Sequence, residues 1–330
     1  MAAQRWDEWA EAVMGMMVEV KPGENLLIMA DTRTNMEIAN ACLVAGINAK
    51  ANAQLLVVPS RLETDKREPN PVTAGAIMGA DVIVGIDTGF DRSVAMREAA
   101  KKGTRFTMCA PREEGEDWVI EGTLDVDFPR MIEIGEKVCD LWQKTETCRV
   151  TSELGTDISF RLKGRPCDAG YGWAIDPGVV DGHFPGGTPS IAPIEETING
   201  TIVVDGLITG CGQVSEPVTA RLEKGVITSI EGGKDANSWR FLLESTGEPK
   251  AFHLCHFNVG INPRAEAPSD KAVGIVNFGF GHQDALYEGT VGQDVKMHTD
   301  ITLRWATIYV DGVVMCENEQ LYPDLGPAEH

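Results

Sequence analysis

The sequence predicts an α/β fold joined to a β-rich one. A Rossmann-like parallel sheet with helices is expected over residues 1–147, and a mostly antiparallel β domain carrying a metal site over 148–330. Residues 26 to 109 alternate short apolar runs with helix-like stretches, as a parallel sheet covered by helices requires. From about residue 148 the pattern changes to short β-branched runs punctuated by X-Gly dipeptides, which are hairpin signals. The 330 residues are 43% hydrophobic and 24% charged, a globular composition long enough for two cores.

Apolar residues recur at helical spacing from Trp6 to Met17. Lys21-Pro22-Gly23-Glu24-Asn25 then breaks the pattern before the run Leu26 to Met29, which predicts helix, turn and buried strand. The alternation continues with helices at 36–45, 72–78 and 93–101 and strands at 54–58, 81–86 and 105–109. Such a sheet suits a nucleotide, but the segment after the first strand, Ala30-Asp31-Thr32-Arg33-Thr34-Asn35, has no glycine to admit a pyrophosphate. The first histidine of the chain is His183, so imidazole chemistry is expected from the second domain alone.

After a linking helix over 129–142, strands are expected at 157–162, 201–204, 218–223, 227–230, 307–310 and 313–316. Lys163-Gly164, Asp205-Gly206 and Asp311-Gly312 supply turn signals. The 50 acidic and 29 basic residues give a net charge of -21, which repels nucleic-acid phosphates and anionic membranes, so neither is an expected partner. No apolar run approaches the ~18 residues that span a bilayer. The eight cysteines include no C-x-x-C pair, and the N-terminus shows no signal-peptide pattern. Reduced thiols in a cytoplasmic protein are therefore expected.

The most informative strand is Lys296 to Trp305. Alternation places Lys296, His298, Asp300, Thr302 and Arg304 on one face and Met297, Ile301, Leu303 and Trp305 on the other. An imidazole and a carboxylate two residues apart on a polar face can bind one metal ion together; a solvated polar face is the plainer alternative. A second histidine segment, His253 to Ala265, reads as a strand running into a loop. Two imidazoles and one carboxylate form the facial triad of non-haem Fe(II) oxygenases, and the same count suits catalytic zinc. In an extended segment His253 and His256 point to opposite faces, so one of them is structural. His183 sits in the glycine-rich Asp181-Gly182-His183-Phe184-Pro185-Gly186-Gly187, suited to line a pocket and move a proton.

The run His256-Phe257-Asn258-Val259-Gly260-Ile261-Asn262-Pro263-Arg264-Ala265, followed by His298-Thr299-Asp300-Ile301-Thr302-Leu303-Arg304, resembles the 2,5-dihydroxypyridine 5,6-dioxygenase family. That family is related to the M29 (aminopeptidase T) metallopeptidases. The similarity is strongest from about residue 148 to 318 and includes Tyr171-Gly172-Trp173, Asp176-Pro177-Gly178 and Glu223-Lys224-Gly225. It implies a mononuclear Fe(II) bound by His256, His298 and Asp300, with His183 assisting the substrate, in a homo-oligomer. Where the peptidases carry a Gly-Glu carboxylate, a second glutamate and a further histidine, this chain has Gly187-Thr188, His256 and the segment Gly289-Thr290-Val291-Gly292. The resemblance therefore leaves no second metal site. It also departs from the dioxygenases at Asp87-Thr88-Gly89-Phe90-Asp91, where they supply a pocket histidine.

The leading expectation is an Fe(II)-dependent dioxygenase that opens a small hydroxylated N-heteroaromatic ring, with Trp173, Glu288 and Arg304 as candidates for substrate contact. The alternative is a mononuclear hydrolase of a cyclic amide, imide or heteroaromatic amine, using Zn(II), Mn(II) or Fe(II) with Glu288 or His183 as base. A binding protein whose histidines are structural is a third possibility, which metal content would separate.

Overall fold

The computed structural model describes residues 2–60, 68–88, 90, 93–111, 115–178, 182–283, 295 and 297–322. The chain divides into two compact units, 1–126 with 171–186 and 127–170 with 187–330. Where the sequence suggested one cut near residue 147, the chain crosses between units at 126/127, 170/171 and 186/187.

The first unit contains strands β1 (Asn25–Asp31), β2 (Asn52–Val58), β3 (Val82–Ile86) and β4 (Arg105–Cys109) and helices α1 (Ala2–Ala12), α2 (Met36–Asn48), α3 (Pro71–Met78), α4 (Val94–Lys101) and α5 (Glu116–Leu124). Helix α1 runs on into a π-helical turn, Val13–Met17. The strands form a parallel sheet in the order β2-β1-β3-β4, extended by β8 (Gly182–His183). Every residue of β3 is buried, as continuous apolar strands covered on both faces should be. Leu27, Met29, Ile77, Ile83, Met96 and Phe106 build the core beside the sheet. Asn35, Asn70 and Ser93 cap α2, α3 and α4, each accepting from an amide of the first turn.

His183 was expected in a loop of the second domain. It instead ends β8, paired with Met108 at the edge of the first unit's sheet. Residues 171–186 return to this unit because Thr107 Oγ1 donates to Gly172 O at 2.9 Å and Phe184 packs on Trp9 with ring centroids 5.3 Å apart. Gly172 has φ +80°, and a Cβ there would run into the His183 carbonyl, so a glycine is needed for this close approach.

In the second unit, one antiparallel sheet comprises β5 (Thr147–Thr151), β6 (Asp157–Arg161), β10 (Asn199–Val204), β13 (Val218–Glu223), β14 (Val226–Glu231), β18 (Thr307–Val310), β19 (Val313–Glu317) and β20 (Gln320–Leu321). Their order is β14-β13-β10-β6-β5-β18-β19-β20. The other comprises β7 (Cys167–Asp168), β9 (Ser190–Ile191), β11 (Leu207–Ile208), β12 (Gly212–Gln213), β15 (Leu254–Val259), β16 (Val276–Gly281) and β17 (His298–Leu303), ordered β12-β11-β17-β16-β15-β9-β7. Helices α6 (Phe128–Lys144) and α7 (Lys234–Glu244) belong to the same unit.

Lys224-Gly225 and Asp311-Gly312, all four residues at positive φ, turn the β13–β14 and β18–β19 hairpins. Asp205-Gly206 does not make a hairpin; it carries the chain from β10 in one sheet to β11 in the other. Asp205 Oδ1 accepts from Arg304 N at 2.8 Å, and a Cβ on Gly206 would strike Thr302. Phe257 of β15 packs against Trp142 of α6 (4.8 Å) and Phe160 of β6 (5.1 Å), so an aromatic core fills one face of the seven-stranded sheet.

The expectation of eight reduced thiols is corrected at one pair. Cys139 of α6 and Cys167 of β7 form a disulfide, their Cα atoms 5.3 Å apart, because helix and strand bring the two side chains within bonding reach. Cys42, Cys109, Cys148, Cys255 and Cys316 are free and buried, and Cys211 is free and half-buried. Among the described residues no helix is long and apolar enough to cross a membrane.

Candidate metal centre

Strand register decides which side chains meet. His256 of β15 pairs with Gly279 of β16, which pairs with Asp300 of β17; two residues along, Gly281 pairs with His298. Alternation puts these positions on one sheet face and Phe257, Phe278, Phe280 and Ile301 on the buried opposite face. The histidine segment and the H-x-D strand are therefore brought together across a middle strand that has glycine at both crossings.

His256 Nε2 lies 3.1 Å from His298 Nε2 and 3.2 Å from Asp300 Oδ1, and His298 Nε2 lies 3.1 Å from Asp300 Oδ2. The two imidazoles are nearly parallel, 14° apart in plane. Donors bound ~2.1 Å from one ion and at right angles to each other stand ~3.0 Å apart. The spacing of the three side chains thus fits a single cation, and nitrogen plus carboxylate donors suit a first-row transition metal.

Neighbouring groups fix these donors. His298 Nδ1 is 2.9 Å from the His282 carbonyl, which can only accept, so the proton sits on Nδ1 and the Nε2 lone pair faces the cluster. His256 Nδ1 is 3.4 Å from Ser190 Oγ, and Asn277 Nδ2 donates to Asp300 Oδ1 at 2.9 Å. Burial pushes the Asp300 carboxyl up, but the facing His298 and His256 outweigh it and hold it well below the usual carboxylate range.

Cys255, His256 and His298 also bring their ligand atoms within 4.8 Å of one another, close enough to share an ion. Cys255 Sγ approaches His298 from the Nδ1 side at 3.7 Å. That nitrogen is committed to the His282 carbonyl, and one imidazole offers one lone pair. The geometry therefore favours Asp300 over Cys255 as third donor.

The remaining candidates are placed as follows. His183 and Trp173 lie in the first unit, Trp173 half-buried and edge-on to Tyr171 at 5.3 Å. Arg304 Nε pairs with Glu319 at 3.2 Å and its Cζ lies 5.1 Å from the Trp305 ring centre, so a ligand must compete with Glu319 for it. Glu288 lies outside the described residues, as do Gly289 to Gly292. His253 is half-buried at the end of a 3-10 turn, and burial lowers its pKa. Ser190, Asn258, Asn277 and His282 escaped the sequence reading. The signal for Asn277 was the alternation Val276-Asn277-Phe278-Gly279-Phe280-Gly281, a strand with one aromatic and one polar or empty face.

A family model described as 2,5-dihydroxypyridine 5,6-dioxygenase matches residues 6–323. The curated 2,5-dihydroxypyridine 5,6-dioxygenase of Pseudomonas putida KT2440 is 31% identical over 186 residues, 52% of this chain and 53% of that protein. The match thus spans about half of that relative's length. The solved 2,5-dihydroxypyridine dioxygenase from the same organism superposes with a TM-score of 0.81 at 22% identity, covering 98% of this chain and 99% of that one. Wild-type AmpT from Thermus thermophilus superposes at 0.70 and 14% identity, covering 97% and 99%. At these identities the two structural likenesses show a shared fold alone.

Proposed function

We propose, from the premise that this chain belongs to the 2,5-dihydroxypyridine 5,6-dioxygenase family, that it is a mononuclear Fe(II)-dependent dioxygenase opening a small hydroxylated N-heteroaromatic ring. The observation that carries the reading is the convergence of three donors, His256 Nε2, His298 Nε2 and the Asp300 carboxylate, with contacts of 3.1 to 3.2 Å. His256, His298 and Asp300 would hold the ion, and Fe(II) there supplies the redox chemistry of ring opening by dioxygen.

The chain's own residues prepare that site. The His282 carbonyl and Ser190 orient the two imidazoles, and Asn277 holds the Asp300 carboxylate. Asp300 stays anionic at neutral pH, so its charge partly offsets that of a divalent cation. Phe257, Phe278 and Phe280 seal the opposite face of the sheet against water. His183 enters the proposal as the sequence's proton-transfer candidate, and Trp173, Glu288 and Arg304 as its candidates for substrate contact. Cytoplasmic residence and a homo-oligomer belong to the proposal as well.

Anaerobic reconstitution with Fe(II), elemental analysis and an oxygen electrode test it. The expected result is stoichiometric iron and oxygen uptake in step with loss of 2,5-dihydroxypyridine absorbance. Absence of uptake across a panel of hydroxylated N-heterocycles would overturn it. Turnover without oxygen would overturn it in favour of the hydrolase alternative.

A further inference from the structure

We propose that Asn258 and Asn277 read hydrogen-bond donors on the substrate ring, an inference that rests on the function proposed above. The two residues are direct cross-strand partners on β15 and β16, so their side chains stand side by side on one face. Ser190 pairs with Asn258 on one flank and Thr302 with Asn277 on the other. The result is a polar row one step along the sheet from the row His256, Gly279, Asp300.

Both amides are buried, at 4% and 0% exposure, yet Oδ1 of each finds no donor among the described residues. Asn277 cannot be turned over: its Nδ2 donates to Asp300 Oδ1 at 2.9 Å, and a carboxylate can only accept, so Oδ1 stays an acceptor. Buried carbonyl oxygens are nearly always paired. Two neighbouring ones beside the converging metal donors call for a ligand that brings hydrogen-bond donors of its own. A 2-hydroxylated N-heterocycle carries one mobile donor hydrogen on its N–C–O edge, as O–H in one tautomer and N–H in the other, whereas a plain carbocycle presents none. The amide pair therefore holds the ring by its donor edge and sets the specificity for that class.

The test is anaerobic equilibrium binding to the Fe(II)-loaded protein, read by ring absorbance, with 2,5-dihydroxypyridine and its 2-methoxy analogue, in which a methyl group replaces the donor. Wild-type protein should prefer the parent ring by roughly 10- to 100-fold in Kd. Asn258→Leu keeps the volume and removes the acceptor, and should cut that preference about tenfold while raising KM more than it lowers kcat. Equal binding of both rings by the wild-type protein overturns the inference without any variant. So does an Asn258→Leu protein that keeps the full preference at full iron occupancy. Failure of every N-heterocycle to bind overturns the proposed function and this inference together, whereas normal ring opening without donor preference overturns this inference alone.

Discussion

Replacing Gly279 by alanine should disable the proposed metal site with a single methyl group. The Cβ built at 279 falls inside van der Waals distance of Nε2, Cδ2 and Cε1 of the His256 ring. Gly279 is not among the residues with positive φ, so alanine meets no backbone strain of its own there. Restoring ordinary carbon contact at ~3.5–4.0 Å requires the ring to withdraw by ~1.5 Å. His256 Nε2 now stands 3.1 Å from His298 and 3.2 Å from Asp300. Metal–ligand distances tolerate only about 0.2 Å, so the withdrawn nitrogen leaves the donor set. Metal affinity should fall by roughly 100-fold, the upper range for losing an orienting group and equal to about 2.7 kcal/mol. Overpacking should also destabilise the metal-free protein by about 1–3 kcal/mol. An unhindered strand glycine behaves oppositely, since alanine there stabilises by about 0.5–1 kcal/mol. Competition of the metal-free variant with a chromophoric chelator gives the affinity, and a thermal melt gives the sign of the stability change. Wild-type affinity with a raised melting temperature would refute the packing account of this site.

Asp300→Asn and Cys255→Ala decide the third donor: the first should weaken metal binding roughly 100-fold and the second by less than about threefold, and the opposite order would make Cys255 the ligand. Cys139–Cys167 closes a separation of 28 residues. On the loop-entropy account its reduction costs about 3.6 kcal/mol, and alkylation of the denatured, unreduced protein should label six thiols, whereas eight would show that the bond is absent. Burial raises the Asp205 carboxyl despite the opposing Arg304 amide, so the folded state holds that proton more tightly than the unfolded chain. The corresponding stability is complete below the unfolded value and is lost as pH rises through the raised folded value. Denaturation midpoints of Asp205→Asn should therefore vary less with pH above about 4 and equal or exceed wild type at neutrality; a steeper decline than wild type would contradict this.

The β3 strand and the Asp311-Gly312 turn were legible because local chemistry settles them: an apolar run buried on both faces, and two residues that accept positive φ. Helices α5 and α7 were not. Neither has a side-chain cap at its start, and α7 buries only Ala236, Trp239 and Leu243 along eleven residues that include Lys234, Asp235, Asn237, Ser238, Arg240 and Glu244. The two-residue strands β7, β8, β9, β11, β12 and β20 are too short to show any alternation. The assignment of His183 to the wrong unit has the same origin. Its sheet neighbour Met108 is chosen by the return of 171–186, and no local pattern in Gly182-His183-Phe184 announces that pairing.

For the site, alternation by twos exposed His298 and Asp300, but only register shows why His256 meets them. Adjacent strands lie ~4.8 Å apart, so β15 and β17 are separated by ~9.6 Å with β16 between them. Donors from the outer strands can converge over the middle one only if it raises no side chain into that space. Gly279 and Gly281 stand at those crossings, one between His256 and Asp300 and the other beside His298. Their neighbours Phe278 and Phe280 point to the opposite face and hold the strand in the core, which glycine alone could not do. The alternation of aromatic and glycine in β16 therefore specifies the site as strongly as the histidines do. Restoring a Cβ at Gly279 tests that dependence without replacing a donor, whereas at Gly281, with φ +95°, it would strike the Met297 carbonyl and strain the backbone instead.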